Sequence, residues 1–265
     1  MSTRVFTSLR VVSALAVAGS LVACSSGTGS SAPTAPTAAR SDRASAATAS
    51  VSTASVSTTG PIDPSNFVTT VDNPYYPLPV GRVMVYQGTR DGVAQTDTVT
   101  VTRDTKVIEG VRAVVVRDVA TDSHHRTLEA TLDWFAQDKQ GNVWYLGEDT
   151  KAYNPDGSVD TSGSWTAGVG GATPGVIMEA HPQVPDAYRQ EYLKGQAEDT
   201  AWIVGTGGSE TVPYGTVHNT VRSLEVTVLE PDVVDEKVYA PGLGIVSERS
   251  LAGGHEVAKL ASVTG

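Results

Sequence analysis

Short runs of Val and Thr, broken every few residues by Gly, Pro or Asp, recur from residue 82 to residue 263 and constrain this chain more than any other feature. They fall at 82–89, 96–103, 111–119, 128–137, 142–147, 188–192, 201–204, 216–229, 234–239, 245–249 and 256–263. Alternation of apolar and polar residues between turn formers is the pattern of antiparallel strands, and no stretch carries the 3.6-residue apolar stripe of a long helix. The connecting segments are too short for the crossover helices that parallel strands need. The chain is therefore expected to be mainly β, a single antiparallel curved sheet or open half-barrel with little helix.

One hairpin can be read residue by residue. Asp138-Lys139-Gln140-Gly141 is a four-residue turn, which sets Phe135 opposite Trp144, Trp134 opposite Tyr145 and Asp133 opposite Leu146. Alternation then sends Leu128, Ala130, Leu132, Trp134, Ala136, Val143 and Tyr145 to one side. The other side carries Glu129, Asp133, Phe135, Gln137, Asn142, Trp144 and Glu148, mixing large aromatics with carboxylates. Such a face is either a solvated outer surface with an aromatic cross-strand pair or, on a curved sheet, a concave surface that receives a ligand.

The N-terminal region reads as an export leader. Arg4 and Arg10 precede an apolar stretch at 11–18, and Leu21-Val22-Ala23-Cys24 is a lipobox ending in the chain's single cysteine. The apolar stretch is shorter than the roughly 20 residues that span a bilayer. Residues 1–23 are thus expected to be a lipoprotein signal peptide, with Cys24 acylated by diacylglycerol and palmitate-like chains. Each buried CH₂ contributes about 0.8 kcal/mol, so several chains anchor a protein durably. Residues 24–61, built mostly of Ser, Thr, Ala, Gly and Pro, cannot form a core and read as a tether of about 30–35 Å root-mean-square reach. Residues 62–265 remain as the β domain, lipid-anchored in the cell envelope on the extracytoplasmic side of a membrane.

Charge and cysteine usage narrow the partners. Loss of residues 1–23 removes Arg4 and Arg10 and no acid, leaving 29 acidic against 17 basic residues, a net charge of about −12. That balance argues against nucleic acid and anionic headgroups. With no second cysteine there is no intrachain disulfide, so the domain is held by its core alone. About 200 residues suffice to bury about 70 % of the surface the unfolded chain exposes.

Several segments carry a family likeness. Residues 73–81 (NPYYPLPVG), 133–149 (DWFAQDKQGNVWYLGED), 163–168 (GSWTAG), 174–178 (PGVIM), 188–192 (YRQEY) and 239–244 (YAPGLG) resemble a group of uncharacterised bacterial lipoproteins of actinobacterial type, over most of residues 66–250. The turn at 212–216 (VPYGT) and the segment 239–244 are more distantly similar to the curved-sheet carriers LolA and LolB. The chain departs from the closer group at Pro185, where Gly is expected before Asp-Ala-Tyr-Arg-Gln-Glu. The resemblance implies a curved-sheet lipoprotein and transfers no activity.

Catalytic signatures are absent: there is no Gly-x-Ser-x-Gly elbow, no His-Glu-x-x-His helix and no Walker loop, and Gly168-Val-Gly-Gly171 lacks the lysine of a phosphate cradle. His124 and His125 lie near Asp122, but adjacent strand residues point to opposite faces, so no metal site is expected there. Asp156, Ser158, Asp160 and Ser162 alternate like calcium ligands, yet Thr161 and Ala167 stand where an EF-hand needs Gly and Glu. No metal and no cofactor are expected.

The leading expectation is a binding module for a small or lipid-like molecule on an aromatic concave face that includes Trp134, Trp144, Trp165, Tyr188 and Tyr239. The alternatives are an extracytoplasmic hydrolase using paired carboxylates among Glu129, Asp133, Glu148 and Glu191, or a non-catalytic assembly partner of envelope proteins. An enclosed apolar cavity favours carriage, converging carboxylates with shifted pKa values favour hydrolysis, and a flat apolar patch favours protein partnership.

Overall fold

A computed structural model of the chain describes residues 62–265; the leader, the lipobox with Cys24 and the tether all lie outside the described residues. The regular structure of the described chain is almost all strand, with one short 3₁₀ turn at Pro64–Asn66. β1 (Val83–Arg90), β2 (Val93–Ile108), β3 (Val111–Asp122), β4 (Thr127–Gln137) and β5 (Val143–Tyr153) form one antiparallel meander. β11 (Asp199–Val212), β12 (Gly215–Thr227), β13 (Val234–Ala240), β14 (Gly244–Ala252) and β15 (Glu256–Thr264) form a second. β15 pairs with β1 and joins them into one sheet. Each meander needs only tight turns; Asp91-Gly92, with φ of 47° and 80°, has the positive dihedrals that match strand twist.

The far edges of the two meanders are joined by short strands. β6 (Val159–Asp160) and β7 (Trp165–Thr166) pair with β5, as does β8 (Thr173–Met178). β9 (Ala187–Arg189) pairs with β11, whereas β10 (Glu191–Tyr192) pairs with β8. Only Gln190 separates β9 from β10, so the two ends of the sheet path are one residue apart in the chain and the sheet nearly closes into a barrel. The run read in the sequence as one strand, 188–192, thus serves two partners. Gly175 is required at this seam: a Cβ there would sit 2.2 Å from the Gln190 carbonyl.

The barrel interior is segregated along its axis. At one end Met84, Val99, Val101, Val116, Phe135, Tyr145, Tyr239, Val246 and Leu260 form an apolar core. At the other, inward positions of the same strands turn polar: Gln95 and Asp97 precede Val99 on β2, and Glu129, Thr131 and Asp133 precede Phe135 on β4. Arg90, Gln95, Asp199 and Glu256 stand at the polar end, all buried at 7–8 % exposure, with Arg90 paired to Glu256.

The apolar end is plugged by the segment before β1. Tyr76 packs against Phe135 and Tyr239 at ring separations of 5.2 and 6.5 Å. Asn73 Oδ1 accepts from the Tyr75 and Tyr76 amides, while its Nδ2 donates to the Gly141 and Glu179 carbonyls. Gln137 Oε1 accepts from the Asp72 and Asn73 amides. The segment 73–81 picked out by the family likeness is therefore a strap that seals one barrel end.

The hairpin of β4 and β5 differs from its sequence reading. Asp138 and Asn142 bond across the turn, so the ladder starts with Gln137 opposite Val143 and puts Phe135 opposite Tyr145. An extra residue in β5 at Leu146-Gly147 then shifts the register and sets Asp133 opposite Glu148. The carboxylate face, expected either outside or on a concavity, is the barrel interior, while Leu132 points to solvent at 37 % exposure.

Candidate functional site

Cross-strand pairing places the polar interior in register. Val101, Val116, Asp133, Glu148 and Trp165 lie directly opposite one another along successive strands. A second row runs Val99, Asp118, Thr131 and Thr150, and a third runs Tyr86, Asp97, Ala120 and Glu129. Directly opposed residues share a face and hold their Cβ atoms about 5 Å apart. Carboxylates from β2, β3, β4 and β5 are thus gathered on one inner wall. Asp199, Glu225, Lys237, Glu248 and Glu256 are likewise buried on the other meander.

Some of these groups are well satisfied. Lys237 Nζ donates to Glu225 Oε2 at 2.7 Å, and Glu225 Oε1 accepts from Tyr239 OH, Ser223 Oγ and Gln190 Nε2. Burial alone would lower the Lys237 pKa, but Glu225 and Glu248 overcome it and hold the ammonium above its usual range. Arg90 pairs with Glu256. Glu129 Oε1 accepts from Thr131 and Thr150, and Tyr145 OH donates to Asp133 Oδ1 at 2.7 Å.

Others are not. Both carboxylate oxygens of Asp118 and of Glu191 are buried without a hydrogen-bond partner, as are Asp133 Oδ2 and Glu248 Oε2. The Trp165 indole N–H neighbours Glu191 but makes no hydrogen bond of ordinary geometry. Burial pushes the Asp118 pKa up, reinforced by Asp97, Asp133, Glu129 and Glu248. Burial likewise raises Glu191, beside Asp199 and Glu148, and Glu248, which Lys237 pulls back down. Asp133 is raised to about 7 by burial, against the Tyr145 hydrogen bond and with Glu129 adding to the rise. Burial thus holds several interior carboxyls above the ordinary carboxylate range.

All four carboxylates weighed for hydrolysis, Glu129, Asp133, Glu148 and Glu191, point into this interior at 0–3 % exposure. Of the aromatic set, Trp165, Tyr188 and Tyr239 are inside; Trp165 packs edge-on to Tyr145 at 5.3 Å. Trp134 and Trp144 are not brought to them. Trp134 faces outward beneath the Lys106 ammonium, 3.0 Å from its ring centroid, and Trp144 donates to Asp138 Oδ2 beside Phe67 on the strap. Sequence reading missed Asp97, Asp118, Glu225, Lys237, Glu248 and Tyr145 as interior groups. A signal existed in β2: Thr96, Thr98, Thr100 and Thr102 alternate with Asp97, Val99 and Val101, which puts that acid on the valine face.

The gaps between side chains are small inside and large outside. A pocket of about 30 Å³ lies under the strap among Tyr76, Leu78, Met84, Tyr86, Phe135 and Ile245. One of about 10 Å³ touches Asp199, Glu225, Asp235 and Lys237. An apolar groove of about 480 Å³ runs over the outer face along Val184, Trp202, Val204, Leu224, Val226 and Val234. Among the described residues no three His, Cys, Asp or Glu side chains are arranged to hold a metal ion. His124 and His125 sit on a turn built on Asp122, whose Oδ1 accepts the His124 and Arg126 amides, and Asp156 and Asp160 cap the Ser158 and Ser162 amides.

No family model matches the chain, and no curated protein matches it. Among solved structures, a Bacteroides fragilis protein designated exported, with a YmcC-like fold, is similar over 72 % of this chain and 99 % of its own, at 16 % identity and a TM-score of 0.41. A protein of Parabacteroides distasonis designated a lipoprotein is similar over the same shares, at 13 % identity and a TM-score of 0.37. Neither likeness extends to LolA, LolB or an actinobacterial family.

Proposed function

We propose that this chain is a lipid-anchored extracytoplasmic binding module whose barrel binds a small ligand. One observation carries the reading: buried acceptors on Asp118, Asp133, Glu191 and Glu248 and buried donors on Arg90 Nη1, Gln95 Nε2 and Trp165 Nε1 make no hydrogen bond, although Lys237 and Arg90 Nη2 are held by Glu225 and Glu256. Orphaned buried polar groups are uncommon because each costs about 1–3 kcal/mol, and they collect where a ligand or water completes the structure. Native mass spectrometry of gently extracted protein is expected to show a bound small molecule that leaves on denaturation. Mass equal to the bare polypeptide, with no thermal stabilisation by any fraction of an envelope extract, overturns the reading. The anchor is tested separately: Cys24→Ala is expected to release the protein to the soluble fraction, and unchanged membrane association refutes lipidation.

A second reading draws on the opposed pair Asp133 and Glu148. A proton-holding acid facing a second carboxylate is the pairing used in glycoside hydrolysis. At 1 % and 3 % exposure the pair admits only a substrate small enough to enter the barrel. Turnover of the co-purifying molecule, abolished by Glu148→Gln, would favour hydrolysis over storage.

A further inference from the structure

We infer that β10 is a latch on the barrel seam, docked on β8 in acid and released from it as pH rises, with the Glu191 carboxyl as its trigger. The joint it closes is short. β10 meets β8 at two opposed pairs, Glu191 with Pro174 and Tyr192 with Thr173, against eight between β1 and β2, and Pro174 brings no N–H to the ladder. The chain before Glu191 is held to the other meander: β9 is opposed to β11 at three positions, and the Gln190 amide donates to the Asp199 carbonyl at 2.9 Å. In the turn that follows β10, Gln196 Nε2 donates to the Ser164 carbonyl, just before β7, at 2.6 Å. Release therefore parts β10 and its turn from β8 and β7 while β9 stays on β11.

The trigger sits in the joint itself. Glu191 is 0 % exposed, and neither carboxylate oxygen has a hydrogen-bond partner. It is faced by Tyr145 and Glu148 from β5, Trp165 from β7, Asp199 from β11 and Lys237 from β13, while the β8 residues opposite β10, Thr173 and Pro174, carry no charge. Lys237 Nζ is bonded to Glu225 at 2.7 Å, and Arg189, the nearest cation in the chain, lies over the Tyr192 ring at 4.3 Å. Burial, reinforced by Asp199 and Glu148, raises the Glu191 pKa well above its usual range, and the Trp165 indole and Lys237 pull it back only in part. With its proton, Glu191 is a neutral group between two walls. Without it, a buried carboxylate stands between Glu148 on one meander and Asp199 on the other, and undocking is what returns it to water. The docked value is the raised one, so the latch holds fully below the ordinary Glu value and loses hold as pH climbs toward the raised value. Over that interval each opening releases about one proton, so the opening constant grows about tenfold per pH unit.

The test is amide exchange of the mature protein from about pH 5.5 to about pH 8, each rate divided by the intrinsic rate of an unstructured chain at the same pH. Protection at residues 191–192 is expected to fall about tenfold per pH unit and to fall ahead of that in β3. Glu191→Gln cannot ionise, so its seam protection is expected to track that of β3. The paired substitutions Thr173→Cys and Tyr192→Cys, at directly opposed positions, give a second route that does not rely on that variant: the oxidised protein should lose the pH dependence at the seam and the reduced protein should keep it. Seam protection that holds steady or grows with pH, a slope that survives in Glu191→Gln or in the oxidised staple, or seam and β3 amides losing protection in step in the unaltered protein, overturns the latch. The binding module is decided separately, by whether the native protein carries a small molecule.

Discussion

Replacing Asp133 by Asn gives a direct measure of what the polar interior does to stability. Asp133 is 1 % exposed, lies opposite Glu148, receives the Tyr145 hydroxyl and titrates at about 7 instead of 3.8 because burial disfavours its charged form. Between those two pH values the folded chain binds a proton that the unfolded chain has released, so stability is full below the lower value and is lost as pH rises through the upper one. The whole shift corresponds to about 4 kcal/mol, of which about 3 kcal/mol falls between pH 4.5 and pH 8. Asn keeps a carbonyl oxygen for the Tyr145 hydroxyl and cannot ionise. The two proteins should therefore differ by no more than about 1 kcal/mol near pH 4.5, and Asp133→Asn should be the more stable by about 3 kcal/mol near pH 8. With a urea dependence of about 2–3 kcal/mol per molar, the midpoints should separate by about 1 M at the higher pH. Parallel pH profiles for the two proteins, or a variant less stable near pH 8, would refute the claim that burial keeps this carboxyl protonated.

Other substitutions probe the seam, the strap and the ion pair. Lys237→Met strands Glu225 inside the barrel and should cost about 3–5 kcal/mol by urea unfolding, most of it recovered in the double variant with Glu225→Gln. Gly175→Ala drives a methyl group into the Gln190 carbonyl and should cost about 3 kcal/mol or more, with amide exchange at residues 187–192 accelerating before that of β3; unchanged exchange there would contradict a seam at Gln190. Asn73→Ala removes four hydrogen bonds that fasten the strap and should lower stability by about 2–4 kcal/mol, while tyrosine fluorescence reports a loosened Tyr76.

The strands were legible because alternation in residues such as 96–102 is a local property of the chain. Barrel closure was not, since it depends on Gln190 dividing a five-residue run between two partners, a choice made by β8 and β11 rather than by the run itself. The hairpin shows the same limit: one bond across Asp138 and Asn142 and one extra residue at Leu146-Gly147 decide which residues oppose each other. Glu129, Asp133, Glu148 and Glu191 could be picked out as chemistry-bearing, but acids on an antiparallel sheet ordinarily face water. Only ring closure reverses that expectation, and it does so without a mark in any single segment. Trp134 and Trp144 illustrate the converse, being large aromatics that cover the outside of the wall under Lys106 and Phe67.

The strap also fixes which way the molecule looks. The described chain begins beside the turns at Gly110 and Asp138, where Pro64 and Phe67 lie against them, and its last residue, Gly265, rests against Gly81. Both ends of the described residues thus lie at the stoppered base of the vessel. The buried acids Asp199 and Glu256, with Gln95, lie at the opposite end of the barrel from both, so the two ends of the described chain and the acid cluster are separated by the full length of the apolar core.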